Sequence, residues 1–199
     1  MGPAATAAPD VSLADATSAI VAGKNVPFDG VPEGLAWPAL GKALARSETD
    51  HRPITIAAAR DVPLSSVLRA VWTVRGVDVR MQTADASGLT QVVELKAKTQ
   101  GHAPGCHLAV FAESDGTLRV AAPGGPSAIV GDAPNEQLAR ALELARTKCP
   151  LRYVAFGATA PNTPWGTVFD IAIAVDRGKS AGDARYVLGE PVHLARVVK

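Results

Sequence analysis

Apolar residues recur along this chain at two periods, one near 3.6 and one of 2. In NEQLARALELARTK, residues 135–148, Leu138, Ala141, Leu142 and Ala145 fall at helical spacing while Glu136, Arg140, Glu143 and Arg146 are left for water. That pattern predicts an amphipathic helix. Upstream, CHLAVFAE sets Leu108, Val110 and Ala112 on one side of an alternating strand, Asp115-Gly116 offers a positive-φ turn, and TLRVAAP reads as the return strand. A Gly/Pro-rich loop, PGGPSAIVGDAP, then leads into the helix. Cys149-Pro150 ends that helix, and LRYVAF, apolar and aromatic, reads as a further strand.

The first half of the chain can be laid on the same pattern. Asp29-Gly30 stands where Asp115-Gly116 stands, WPALGKALARSE supplies a helix with Trp37, Leu40 and Leu44 on one face, and Arg52-Pro53 precedes ITIAAA as Cys149-Pro150 precedes LRYVAF. The next helix in each copy follows a proline, Pro63 or Pro164, a residue suited to a helix start because its missing N–H would be unpaired there anyway. Leu64, Val67, Leu68, Val71 and Val74 correspond at a constant shift to Trp165, Val168, Phe169, Ala172 and Val175. TVFDIAIAV alternates well enough for a strand, and helix is assigned because its first-half counterpart is less ambiguous. Each copy closes with a strand, VDVRMQ or ARYVLG, and another extended segment, TQVVELKAK or PVHLARVVK.

The predicted fold class is therefore α+β: two tandem ββαβαβ-like repeats, each a small mixed sheet with two helices packed on one face, since parallel strands need a crossover. Residues 1–17 read as a flexible tail, 18–98 as the first repeat, 99–102 as a linker and 103–199 as the second repeat.

Composition narrows the function classes. The chain has 199 residues, 47% of them hydrophobic and 20% charged, which is ordinary for a globular protein. A formal charge of +1 gives no basic field for phosphates, so nucleic acid is not an expected partner. No apolar run is long enough to span a bilayer; WGTVFDIAIAV is too short and contains Asp170. The N-terminal segment lacks the charged opening and apolar stretch of a signal peptide, and its Pro/Ala/Gly character suits a linker, including one that follows a membrane anchor.

AARDVPLSSVLRAVWTVRGVDVRMQT resembles the segment of ExbD and TolR periplasmic domains that runs strand, Ala-Asp-Arg, Val-Pro-Tyr, a helix with spaced valines, Gly-Val, strand. Ala58, Arg60, Val62, Pro63, Val67, Val71, Gly76 and Val77 take the expected places, with Ala59 where that family has an acidic residue and Leu64 where it has tyrosine. Residues 103–199 keep the order of elements, with Trp165 at the aromatic position. The resemblance implies a non-enzymatic periplasmic module of an envelope transport or motor complex, attached to the inner membrane through a segment outside this chain. Its implied partners are motor or transport proteins, or peptidoglycan. Such domains act as dimers, so two copies in one chain suggest an internal pseudo-dimer.

The candidate chemistry is sparse. Cys106 and Cys149 open neighbouring strands of one repeat and are candidates for a disulfide that would contribute about 4 kcal/mol by chain entropy; two buried thiols are the alternative. Zinc wants four ligands at recognisable spacing, which His51, His102, His107 and His193 do not provide with two lone cysteines, so no metal or cofactor is expected. Ser65-Ser66 fall at a helix start, where capping is the ordinary role, and no catalytic set is assigned. Arg60 and Asp61 stand between a strand and a helix, where α/β sheets present binding groups; an ion pair or a helix-terminal charge is the plainer role. Val93 and Leu194, in the closing segments, are candidates for pairing with an extended partner at a sheet edge. The rival function is an α+β enzyme or small-ligand protein with its site between the repeats.

Overall fold

A computed structural model of the chain describes residues 8–31, 34–46, 53–74, 77–85, 87–95, 106–122, 125–129, 136–140, 143, 147, 151–177 and 185–188. The fold is α+β with two mixed sheets. The first is built from β1 (Val11–Leu13), β2 (Ser18–Val21), β3 (Lys24–Pro27), β4 (Ile54–Ala58), β5 (Val79–Ala84) and β6 (Thr90–Leu95), in the order β3-β2-β1-β4-β5-β6. Helix α1 (Pro38–Ala45) precedes β4, and α2 (Leu64–Thr73) joins β4 to β5. The second sheet contains β7 (Cys106–Ala112), β8 (Leu118–Ala122), β9 (Gly125–Ile129), β10 (Leu151–Ala158) and β11 (Arg185–Leu188), in the order β9-β8-β7-β10-β11. Residues 136–140 form α3, and α4 (Trp165–Arg177) joins β10 to β11.

The second strand order is the first with its sixth strand left off, and the registers agree. Val11 lies opposite Val21 on one side and Ile56 on the other. Val110 lies opposite Val120 and Phe156 in the same antiparallel and parallel senses. The segment TVFDIAIAV is helical, as assigned.

Alternation along the strands decides which face is buried. Val11 and Leu13, Ile54, Ile56 and Ala58, Val79 and Met81, and Val93 and Leu95 are buried on one side of the first sheet. They form a continuous apolar cluster with Leu40 and Leu44 of α1 and Leu64, Val67 and Leu68 of α2. The i, i+3, i+4 spacing of those leucines and valines puts them on one helical stripe. The same cluster runs on through Leu108, Val110, Val154, Phe156, Val168 and Phe169 of the second sheet and α4.

Three expectations need correction. The predicted tail contains β1, an internal strand between β2 and β4, so the first sheet begins before residue 18. Three strands rather than two precede the first helix of each sheet, because β3 and β9 add a third; β9 falls in a segment whose Gly and Pro content reads as loop. The turn bonding of Asp115 is repeated at Asp15, not at Asp29. Asp115 accepts the Thr117 N–H (2.9 Å) in the β7–β8 turn, and Asp15 accepts the Thr17 N–H (2.7 Å) in the β1–β2 turn. Asp29 instead accepts the Ala39 N–H (2.9 Å) at the start of α1, one of the N–H groups that a helix cannot satisfy internally. The linker expected at 99–102 lies outside the described residues.

Two glycines should respond to substitution with opposite signs. A Cβ on Gly30 would run into the Ala36 carbonyl oxygen and come within 2.8 Å of the Phe28 ring, whereas one on Gly41, inside α1, would meet only a Thr73 methyl at 3.5 Å. Gly30→Ala is expected to destabilise by about 1–3 kcal/mol through overpacking. Gly41→Ala is expected to stabilise by roughly 0.5–1 kcal/mol through helix propensity. Urea unfolding of the two variants measures both.

Candidate functional site

The residues of interest gather where the loop from β4 to α2 meets the loop from β10 to α4. Pro63 caps α2 with φ −58° and ψ 139° and makes no side-chain capping bond. Its partner is Pro164: the two prolines form an isolated antiparallel bridge. Around it the Leu64 N–H donates to Thr163 O (2.8 Å) and the Trp165 N–H donates to Val62 O (2.8 Å). One residue further into each helix, the Ser65 N–H donates to Pro161 O (3.0 Å) and the Gly166 N–H to Arg60 O (2.8 Å). A single shift of 101 residues converts each bond of these two pairs into the other. The prolines occupy the non-hydrogen-bonded position of the bridge, where no N–H is needed.

Side chains reinforce the junction without repeating that symmetry. Arg60 Nη1 and Nη2 donate to the two oxygens of Asp170, on α4, at 2.8 and 2.6 Å, and Nη1 also donates to Ala84 O at 3.0 Å. These bonds to Asp170, outweighing partial burial, hold the guanidinium charge more firmly than usual. Gly166 lies beneath Arg60, with room for a Cβ only at 3.0 Å from the guanidinium and its stem. Trp165, 1% exposed, donates its indole N–H to Thr83 Oγ1 of β5 at 2.7 Å and packs on Phe169. Nearby, Asp85 accepts bonds from the Ser87 hydroxyl foremost, and from the Leu89 and Ser87 N–H groups and Gln91. Together these draw its carboxyl down to about 2, so it remains a fixed negative charge facing Arg60.

The predicted site residues part company here. Arg60 is engaged in an ion pair across the junction, the plainer of its two expected roles, while Asp61 beside it is exposed. Val93 lies in β6, a terminal strand of its sheet, yet its side chain is buried. Its N–H also faces inward. The Asp85 N–H donates to Leu89 O, and alternation from that pair makes Met81 and Val93 a hydrogen-bonded pair. The outward main-chain groups of β6 therefore belong to Thr90, Val92 and Glu94, one residue out of step with the expectation. Strand β11 approaches β6 from the second sheet. Cys106 pairs in register with Leu151, two residues after Cys149; Cys149 and Leu194 lie outside the described residues.

Sequence reasoning did not find Asp170, Trp165 and Thr83 as junction residues. A signal existed for the first: Asp170 is the one charge inside an apolar run that the fold turns into a helix. No family model, characterised protein or solved structure matches this chain. Among the described residues no helix is long and apolar enough to cross a membrane.

The Arg60–Asp170 pair is part exposed, 33% and 43% by side chain, so its bidentate geometry should yield a coupling of about 1 kcal/mol, the upper end for such pairs. A double-mutant cycle with Arg60→Leu and Asp170→Ala in urea unfolding measures it. The coupling should shrink at high salt; a value of zero at low salt contradicts the account.

Proposed function

We propose that this chain is a non-enzymatic interaction module of the ExbD/TolR kind, formed of two copies of one α+β unit joined as an internal dimer, and serving a periplasmic transport or motor complex of the cell envelope. The observation that carries this reading is the pair of backbone bonds on each side of Pro63 and Pro164, related to the other pair by one constant shift. Such reciprocity is what two identical protomers make across a two-fold axis. It arises in the segment whose residues carry the resemblance.

The binding surface in this reading is the outer rim of β6. Its inward groups pair with β5, while the N–H and C=O groups of Val92 face away from the sheet, and Val92 is 42% exposed. An extended partner could add there through main-chain bonds. Two other terminal strands, β3 and β9, are poorer candidates. In β3, Pro27 has no N–H and its carbonyl accepts from Trp37 Nε1 at 3.0 Å; β9 carries Pro126. The rival reading, an enzyme or small-ligand site between the units, wants open space at the junction, where paired backbone and the Trp165 ring lie instead.

The test is retention of envelope-extract proteins on the immobilised chain. Val92→Pro removes one outward N–H and should lower retention of the motor or transport partner about tenfold, while Val92→Thr, which keeps it, should leave retention unchanged. Undiminished retention by a Val92→Pro chain with an unaltered unfolding midpoint would sink the proposal. So would turnover of a small substrate that Trp165→Ala abolishes.

A further inference from the structure

The junction between the two sheets has a property beyond holding one chain together. Every described strand before residue 96 belongs to the first sheet and every described strand after residue 105 to the second, so each sheet is built from one continuous half of the chain. The halves meet through the four main-chain bonds about Pro63 and Pro164, the Arg60–Asp170 pair, the Trp165–Thr83 bond and a shared apolar cluster. That cluster takes in Val67 and Leu68 of α2 and Val168 and Phe169 of α4, all buried, and α4 also touches β6 of the first sheet. A chain opened here would bare apolar surface. The surface that fits it is the other half, which a second copy of the chain also carries.

Side chains decide which halves can meet. The backbone bonds are the same from either side, so on those alone two first halves would pair as readily as a first with a second. The 101-residue shift puts Leu64 where Trp165 stands, Arg69 where Asp170 stands and Pro161 where Arg60 stands. Two first halves would set Arg60 beside Arg69, a like charge, and would offer Thr83 no indole. Two second halves would hold Asp170 without a guanidinium. Repulsion in the wrong pairing and attraction in the right one together select first against second. Nothing in that selection requires the two halves to belong to one chain.

We propose that this chain associates with a second copy of itself by exchanging halves: the first half of each seats on the second half of the other through the junction already described, with Arg60 and Asp170 selecting that pairing. Such exchange is a low-cost route to dimers, because the two junctions of two closed chains are both kept. The opposing factor is the effective concentration of halves joined by a short linker, on the order of millimolar. The inference rests on the junction bonds and not on a role in the cell envelope, so either can fail without the other.

The test reverses the ion pair one side at a time in full chains. Alone, Arg60→Asp sets a carboxylate against a carboxylate at its junction, and Asp170→Arg sets a guanidinium against a guanidinium. Exchanged with each other, one junction regains Arg60 with Asp170 and the other holds the same pair reversed. The variants are unfolded in urea, refolded as an equimolar mixture at low salt and sized by light scattering. The mixture should dimerise at a concentration at least tenfold lower than either variant alone, an advantage that high salt removes. Adding Val92→Pro to both chains should leave the dimer intact, which separates it from edge pairing at β6. With one chain isotope-labelled, an NOE from the Trp165 indole N–H of one chain to Thr83 of the other identifies the exchanged halves. The same NOE between labelled and unlabelled wild-type chains, refolded together at about millimolar concentration, carries the test if the reversed charges prevent folding. A mixture of folded variants no more dimeric than either alone, a dimer lost with Val92→Pro, or a dimer without the interchain NOE overturns the proposal.

Discussion

The first N–H groups of any α-helix have no partner of their own, and in this chain α2 and α4 find theirs in each other's entry loops. Four main-chain bonds across the junction cap both helices at once. Neither a Ser nor an Asp side chain is needed at the N-cap, where α2 has Pro63. The arrangement also fixes what surrounds it. With the helix starts held together, Trp165 is placed to reach Thr83, Gly166 sits beneath Arg60, and Asp170, one turn along α4, meets the Arg60 guanidinium. The buried cluster that runs from the first sheet into the second is the apolar counterpart of this polar seam.

Five prolines of the described residues stand where the fold needs no N–H or where a strand ends its sheet. Pro63 and Pro164 occupy the bridge position that requires none, Pro38 begins α1, and Pro27 and Pro126 stand in the terminal strands β3 and β9. At the strand ends the same property limits unwanted pairing between sheets. The outer rim of β6 has no such block, because its outward groups belong to Thr90, Val92 and Glu94. Its closeness to β11 puts that rim beside the region where the two sheets come together.

Much of the fold was legible where local chemistry dictates it. The 3.6-residue stripe of α2, the proline before it, and its shifted counterpart in α4 are all local signals, and they gave the order of helices and parallel strands. Three short strands were harder. Val11–Leu13 is three residues long beside an alanine-rich stretch, Lys24–Pro27 has one buried side chain, and Gly125–Ile129 has a loop-like composition; each is a strand because a neighbouring ladder holds it. An Asp-Gly dipeptide does not by itself mark a hairpin turn: Asp29 bonds the start of α1, whereas Asp15, which no glycine follows, bonds the Thr17 N–H as Asp115 bonds that of Thr117. The candidate sites were less legible still. Arg60 was visible but its partner, 110 residues away, was not; Val93 was one residue out of step because register depends on a turn formed by Asp85.

Reciprocal capping is the claim on which this account stands, and amide hydrogen exchange tests it most directly. Leu64, Ser65, Trp165 and Gly166 are the first two residues of their helices, positions whose N–H groups ordinarily exchange quickly because nothing inside the helix accepts them. Bonded across the junction, all four should exchange as slowly as the amides of β4 and β10, and should lose protection together in the same unfolding event. Fast exchange at these four amides, while the rest of α2 and α4 stays protected, would contradict the account.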